Sequence, residues 1–348
     1  MSIASRRLFR TQYGGYNFPA TYVGYDVSNN GIDWSKVHWD TGRVSLVVNA
    51  TDQIVTASNK IDWEQFHTPN DARLVYASRF GSASYFMKFY DFGNGIATAL
   101  NMYKNNGGGA KWPVLCHKKW NLADPTQDIV DFNAALSYFG GLNRPWVVVY
   151  FQEPQYYGHT GVAEAQPSYY CDVYTAMDAA RSAHPYGDLC YLMKNLFWPN
   201  RTPIDDQYLW PGYDGGQRFE RMFIGADIYS DERRLAPMTG PELCGMLVEW
   251  AQATGLQPVV PEFAIAQNYG VVKGNNTDVI GTMMTGTEHT AAIKDVVDYC
   301  RAHRFGWINY WNPNSDCSVT NTGYARWELQ TAETIAYWSG QMDFNPVL

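Results

Sequence analysis

Two glutamates, Glu153 and Glu262, each follow a short apolar run, and this placement carries the strongest chemical signal in the 348-residue chain. The first run is Trp146-Val147-Val148-Val149-Tyr150-Phe151, ending in Gln152-Glu153-Pro154. The second is Pro258-Val259-Val260, ending in Pro261-Glu262-Phe263. Short β-branched runs of this kind suit strands buried on both faces, as in parallel sheets covered by helices. A carboxylate just past the C-terminal end of such a strand stands on the face where barrel enzymes keep their chemistry. Two of them can act as acid and nucleophile on one bond, the minimum equipment for cleaving a glycoside.

The elements that must position them alternate. From about residue 73 onward an amphipathic helix, a Gly or Pro break and a short apolar strand recur. Asp124-Pro125 opens a helix with Ile129, Phe132 and Leu136 at helical spacing, and Gly140-Gly141 ends it. Thr239-Gly240-Pro241-Glu242 reads as a capping box, followed by the stripe Leu243, Met246, Leu247, Trp250. A third helix runs from about Glu288 to Cys300 and leads into Trp307-Ile308-Asn309-Tyr310-Trp311. Further strand candidates are Tyr22 to Tyr25, Val44 to Val48, Leu74 to Tyr76, Val114 to Cys116, Leu189 to Leu192 and Phe223 to Tyr229.

That makes nine candidates, one more than a (β/α)8 barrel needs, so counting back from the C-terminus is the safer numbering. Trp311 then ends strand 8, Glu262 strand 7, Tyr229 strand 6 and Glu153 strand 4. Three units of about 36 residues separate the two glutamates, close to the roughly 31 per unit of a typical barrel. The expected fold class is α/β, a (β/α)8 TIM barrel in one domain over residues 1–348, with an N-terminal extension to about residue 20. A doubly wound sheet is disfavoured because no G-x-G-x-x-G follows an early strand.

Composition narrows the partners. A net charge of −8 argues against nucleic acid and anionic membranes. The 25 Tyr and 13 Trp, many outside the strand-like runs, suit a sugar ligand as well as ordinary packing. The six cysteines and seven histidines show no metal-ligand spacing, and no cofactor motif is present, so no metal or cofactor is expected. No G-x-S-x-G elbow supports a serine nucleophile. No apolar run spans a membrane, and Met1 to Arg10 lacks an apolar signal core, which points to a cytoplasmic, lysis-released or virion-associated protein.

With these motifs in order, the chain resembles the clan A (β/α)8 retaining glycoside hydrolases over roughly residues 73–340. In that clan the acid/base glutamate ends strand 4, often as Asn-Glu-Pro, and the nucleophile ends strand 7. Gln152-Glu153-Pro154 and Val260-Pro261-Glu262-Phe263 are similar to those endings. The resemblance implies Glu153 as acid/base and Glu262 as nucleophile, Tyr229 touching the nucleophile, and Trp311 beneath the sugar. Family 26 mannanases are a loose match, but they carry His before the acid, and Gln152 departs from both patterns. The residue before the acid contacts the sugar 2-hydroxyl in the clan, so this departure bears on the substrate. The implied ligand is a polysaccharide or oligosaccharide, cut internally.

Other residues could line the same rim. His117, Lys118 and Lys119 end the third strand, Arg79 follows the expected second strand, and Asn309 shares a face of its strand with Trp307 and Trp311. Asp26 could close the first strand. Its setting, Gly24-Tyr25-Asp26-Val27-Ser28 before Gly31-Ile32-Asp33-Trp34, resembles the start of family 25 muramidases. Those enzymes carry Asp-x-Glu on a central strand, where this chain has Phe151-Gln152-Glu153. A sugar-binding barrel without activity, part of a larger particle, is the alternative of a different class. Two intact glutamates count against it.

Overall fold

The computed structural model describes residues 22–24, 46–49, 87–90, 95–105, 112–143, 146–158, 161–197, 207–209, 221–231, 234–254, 256–270, 281–311 and 331–341. Its strands are β1 (Tyr22–Gly24), β2 (Leu46–Asn49), β3 (Met87–Tyr90), β4 (Trp112–His117), β5 (Trp146–Tyr150), β6 (Cys190–Phe197), β7 (Met222–Tyr229), β8 (Gln257–Ala264), β9 (Asn268–Tyr269), β10 (Thr282–Met283) and β11 (Trp307–Trp311). Between them run α1 (Ile96–Asn105), α2 (Pro125–Gly141), α3 (Pro154–Gly158), α4 (Pro167–Ala183), α5 (Gly240–Thr254), α6 (Gly286–Ala302) and α7 (Ala332–Gln341).

One parallel sheet runs β1-β11-β8-β7-β6-β5-β4-β3, with β2 also on β11, while β9 and β10 form a separate antiparallel pair. From the second position to the eighth, consecutive barrel positions are neighbours, and the first position lies beside the last, an order that matches a (β/α)8 barrel. The surplus ninth strand candidate has a simple place in this order. β1 pairs residues 307–309 of β11 and β2 pairs Asn309 and Trp311, so two short segments share the first position.

One expectation needs correcting. The strand paired with β4 is Met87–Tyr90, not Leu74 to Tyr76. Lys88 interrupts its apolar run and hides it from a hydrophobicity reading. Arg79 therefore precedes the second-position strand rather than following it, and Arg79 and Leu74 to Tyr76 themselves lie outside the described residues.

The helices begin where short polar residues can take up free N–H groups. Asp124 accepts from Gln127 N at 3.4 Å with Pro125 behind it, starting α2. Glu242 accepts from both the backbone N and Oγ1 of Thr239 at the start of α5, at 2.8 and 2.9 Å. A full capping box, Thr285 with Glu288, opens α6. Helices cover the outer face of the sheet. Phe139 of α2 stacks on Trp146 at 4.8 Å, and Trp338 of α7 meets Tyr310 at 5.1 Å. Covered from outside and filled from inside, β5 and β8 are buried along their whole length, as their unbroken apolar runs require.

Candidate active site

Glu153 stands on a strained turn. Phe151 and Glu153 both adopt left-handed backbone, φ 52° and 53°, which costs a side-chain-bearing residue about 1 kcal/mol or more each. The turn is held from both sides: Phe151 N donates to His117 O at 2.7 Å, and Glu153 N donates to Asn195 O at 2.9 Å. Neighbouring strands β4 and β6 thus fix where the carboxyl points.

Glu262 reaches the same place through an irregularity in β8. Gly225 and Asp227, two residues apart on β7, lie opposite Val259 and Glu262, three apart. On the other flank, Ile308 and Tyr310 lie opposite Val260 and Phe263. β8 therefore holds one residue more than either neighbour, and Pro261 lies in the surplus. A proline has no N–H for a ladder, so a bulge is where a central strand can accept one. Phe263 and Tyr310 pack on Trp338 outside the sheet, which places Val260 on the outer face too. Simple alternation from Val260 would turn Glu262 outward as well. The extra residue reverses the sense of alternation and turns it inward. Gly225 makes room for this, since a Cβ there would lie 2.9 Å from Pro261 Cγ.

Gln152 ties the inward groups together. Its Nε2 donates to Asp227 Oδ2 at 2.8 Å and to Glu262 Oε1 at 3.0 Å. Tyr229 donates its phenolic hydrogen to the other oxygen, Glu262 Oε2, the contact expected of a strand-6 tyrosine. Asn195 Nδ2 donates to both oxygens of Asp227, at 3.2 and 3.1 Å, while its own Oδ1 lacks a partner. The Asp227 carboxyl lies within hydrogen-bonding reach of that of Glu153. Two carboxyl groups thus share one amide, and the third stands beside them.

Their electrostatics follow from burial. Desolvation first, then the charge of Glu262, raise Glu153 to about 7, against the lowering effects of Lys118 and the Asp227 hydrogen bond. Tyr229 and Gln152 donate to Glu262 and so favour it as the anion. Burial outweighs the Tyr229 and Gln152 hydrogen bonds, and its pKa too is raised. Of the two, Glu262 has neutral donors on both oxygens and is the one better equipped to hold a charge. Asp227 is pushed well up by burial and by both glutamates. Lys118 is the cation acting on Glu153 and Glu262, its Nζ 2.6 Å from Tyr157 OH and 4.1 Å from that ring's centre.

Several expectations are settled by position alone. Gln152, Glu153, Tyr229 and Glu262 come together. His117 does not join them: β4 turns Cys116 toward Gln152 and seats His117 against Tyr150 and Trp120, at 5.4 and 6.5 Å between ring centres. Buried there, with Nδ1 near Lys119 O, its pKa falls to about 4. Asn309 and Trp311 lie on β11, and Trp311 pairs with Asn49 of β2 at the strand's end. Asp26 lies outside the described residues. Asp227 and Asn195 went unrecognised in the sequence. Their signal was available: each is a polar residue within a run buried on both faces, where it must be paired or functional.

No protein-family model and no curated protein matches the chain. Among solved structures, one from a study of two fungal β-1,4-galactanases aligns with 92% of this chain and 99% of its own, at 8% identity and a TM-score of 0.53. The catalytic domain of a Bacillus sp. JAMB-750 GH26 endo-β-1,4-mannanase aligns with 92% of this chain and 85% of its own, at 12% identity and a TM-score of 0.41, too loose a likeness to weigh. The first likeness shows the fold, a (β/α)8 barrel.

Proposed function

We propose that this barrel is a retaining glycoside hydrolase that cuts a polysaccharide internally. The observation carrying the proposal is the meeting of Glu153, just past β5, and Glu262, on β8, in one buried cluster, where Gln152 and Tyr229 donate to Glu262 while burial and the charge of Glu262 raise Glu153. Glu262, held by Gln152 and Tyr229, attacks the anomeric carbon. Glu153, raised to about 7, gives its proton to the leaving oxygen as the glycosidic bond breaks. Glu153 then takes a proton from the water that releases the covalent intermediate. The resemblance to clan A hydrolases supports the same roles, and Trp311 at the rim of β11 supplies the platform for the sugar under attack.

The galactanases named above suggest a β-1,4-linked galactan as the first substrate to try. The test is a screen of reducing-end release over plant, fungal and bacterial wall glycans. Glu262→Gln should abolish release from whichever glycan is cut. Glu153→Ala should retain activity on an activated aryl glycoside and, with azide added, yield a glycosyl azide of retained configuration. Normal cleavage of the polymer by both variants would end the proposal.

A further inference from the structure

Asp227 is the group that this mechanism leaves unused. It is wholly buried, lies beside Glu262 across the β7–β8 ladder, accepts from the amides of Gln152 and Asn195, and stands within hydrogen-bonding reach of the Glu153 carboxyl. The groups facing it are the amides of Gln152 and Asn195 and the two glutamates; its own strand adds Tyr229, whose hydroxyl serves Glu262. No Lys or Arg pairs with it among the described residues, and Lys118 acts on Glu153 and Glu262 instead.

We propose that Asp227 is a positioning residue that stays protonated throughout turnover and donates its hydrogen to the carboxyl of Glu153. This rests on the glycosidase reading of the site. Two carboxyls in hydrogen-bond contact need a proton between them, as like charges at that range do not both ionise in a desolvated site. Burial without a cation keeps the proton on the more enclosed member, Asp227, as in sites that hold a carboxylic acid neutral to use it as a donor.

The consequence is a cluster that carries one negative charge at every stage. At rest the charge is on Glu262. As Glu262 oxygen bonds to the anomeric carbon and the glycosidic bond breaks, Glu153 passes its proton to the leaving oxygen, and the charge moves to Glu153. Asp227 keeps its own proton, and its hydrogen bond strengthens as that charge arrives. Water attack reverses the shift. An ionised Asp227 would instead add a second buried charge that no cation faces among the described residues, which a desolvated site disfavours.

The test compares two substitutions and adds one measurement that needs no turnover. In Asp227→Asn the amide can still donate to Glu153. Its kcat/KM should fall only several-fold, with the alkaline limb of the pH profile left in place. Asp227→Ala removes the donor, so Glu153 should lose acidity, with the alkaline limb moving up by about one pH unit and kcat/KM falling by roughly 10-fold to 100-fold. Difference infrared spectra of wild type against Asp227→Asn, taken at about pH 8.5 where ordinary carboxyls are ionised, should show the carbonyl stretch of a protonated acid in the wild type alone. Absence of that band overturns the inference. So does an alkaline limb that moves down in Asp227→Asn, the sign that a negative neighbour has been lost. If no glycan is cut by the wild type, the glycosidase reading fails, and the infrared band decides Asp227 on its own.

Discussion

Glu153 holds its proton for two additive reasons, burial and the neighbouring charge of Glu262, and neither involves an unusual chemical group. As the acid of the first step it must be protonated, so kcat/KM should fall as pH rises through about 7, a limb absent from an activated substrate that needs no acid. The same shift has a stability sign. A folded-state pKa raised above the ordinary 4.5 means that the ionised form is penalised by folding. The penalty is largest above pH 7 and fades as pH falls toward the unfolded value. Glu153→Gln should therefore stabilise the protein by about 2 kcal/mol at pH 8 and by much less at pH 5. Urea unfolding at the two pH values measures the difference. A variant less stable than wild type at pH 8 would show that Glu153 is not desolvated. Both glutamates were legible in the sequence because each ends an apolar run. Asp227 was not singled out because it sits inside one, Phe223 to Tyr229, where a hydrophobicity reading passes over a single polar residue.

At the scale of elements, the strand assignments for β4 to β8 and for β11 followed from runs too apolar for anything but a doubly covered sheet; the short antiparallel pair β9 and β10 carries no such run. The bulge in β8 could not be read this way, because an inserted residue is defined by what its neighbours lack. Pro261 was the one visible trace of it. Deleting Pro261 removes the surplus residue, so that Glu262 directly follows the outward Val260 and still faces inward by simple alternation, and part of the activity should survive. Pro261→Ala keeps the residue count, and should keep most of the activity. Kinetics on the two variants, with circular dichroism to confirm that both fold, would check this; a complete loss in the deletion variant alone would mean that the bulge itself, rather than the alternation on either side of it, aims Glu262. The end of β11 makes a separate prediction. Trp311 is the last residue of the strand, at the rim, and Trp307 is its first, four positions deeper. Trp311→Ala should lower kcat/KM by about 1–3 kcal/mol with little change in melting, as for other stacked rings. Trp307→Ala should cost roughly 3–5 kcal/mol of stability. The reverse pattern would place the register of β11 wrongly.

Across the whole molecule, the chemistry and the edge of the sheet have different owners. Gln152, Glu153, Asn195, Asp227 and Glu262 all belong to the arc from β5 to β8, in which each strand pairs with the next one in sequence. β1, by contrast, pairs Tyr22 with Trp307, nearly the full chain away. Pairing over so long a separation carries the larger loop-closure cost and is slow to form. Among the described residues, the two short pieces that occupy the first position take their ladder pairing from β11, and so gain it only once β11 has been made. During synthesis the N-terminal segments must wait through the production of the entire arc, while the three carboxyls can already meet. In pulse-labelled hydrogen exchange during refolding, amides of β5 to β8 should gain protection first and those of β1 and β2 last. The barrel is then completed at a seam, and its site is assembled before the seam closes.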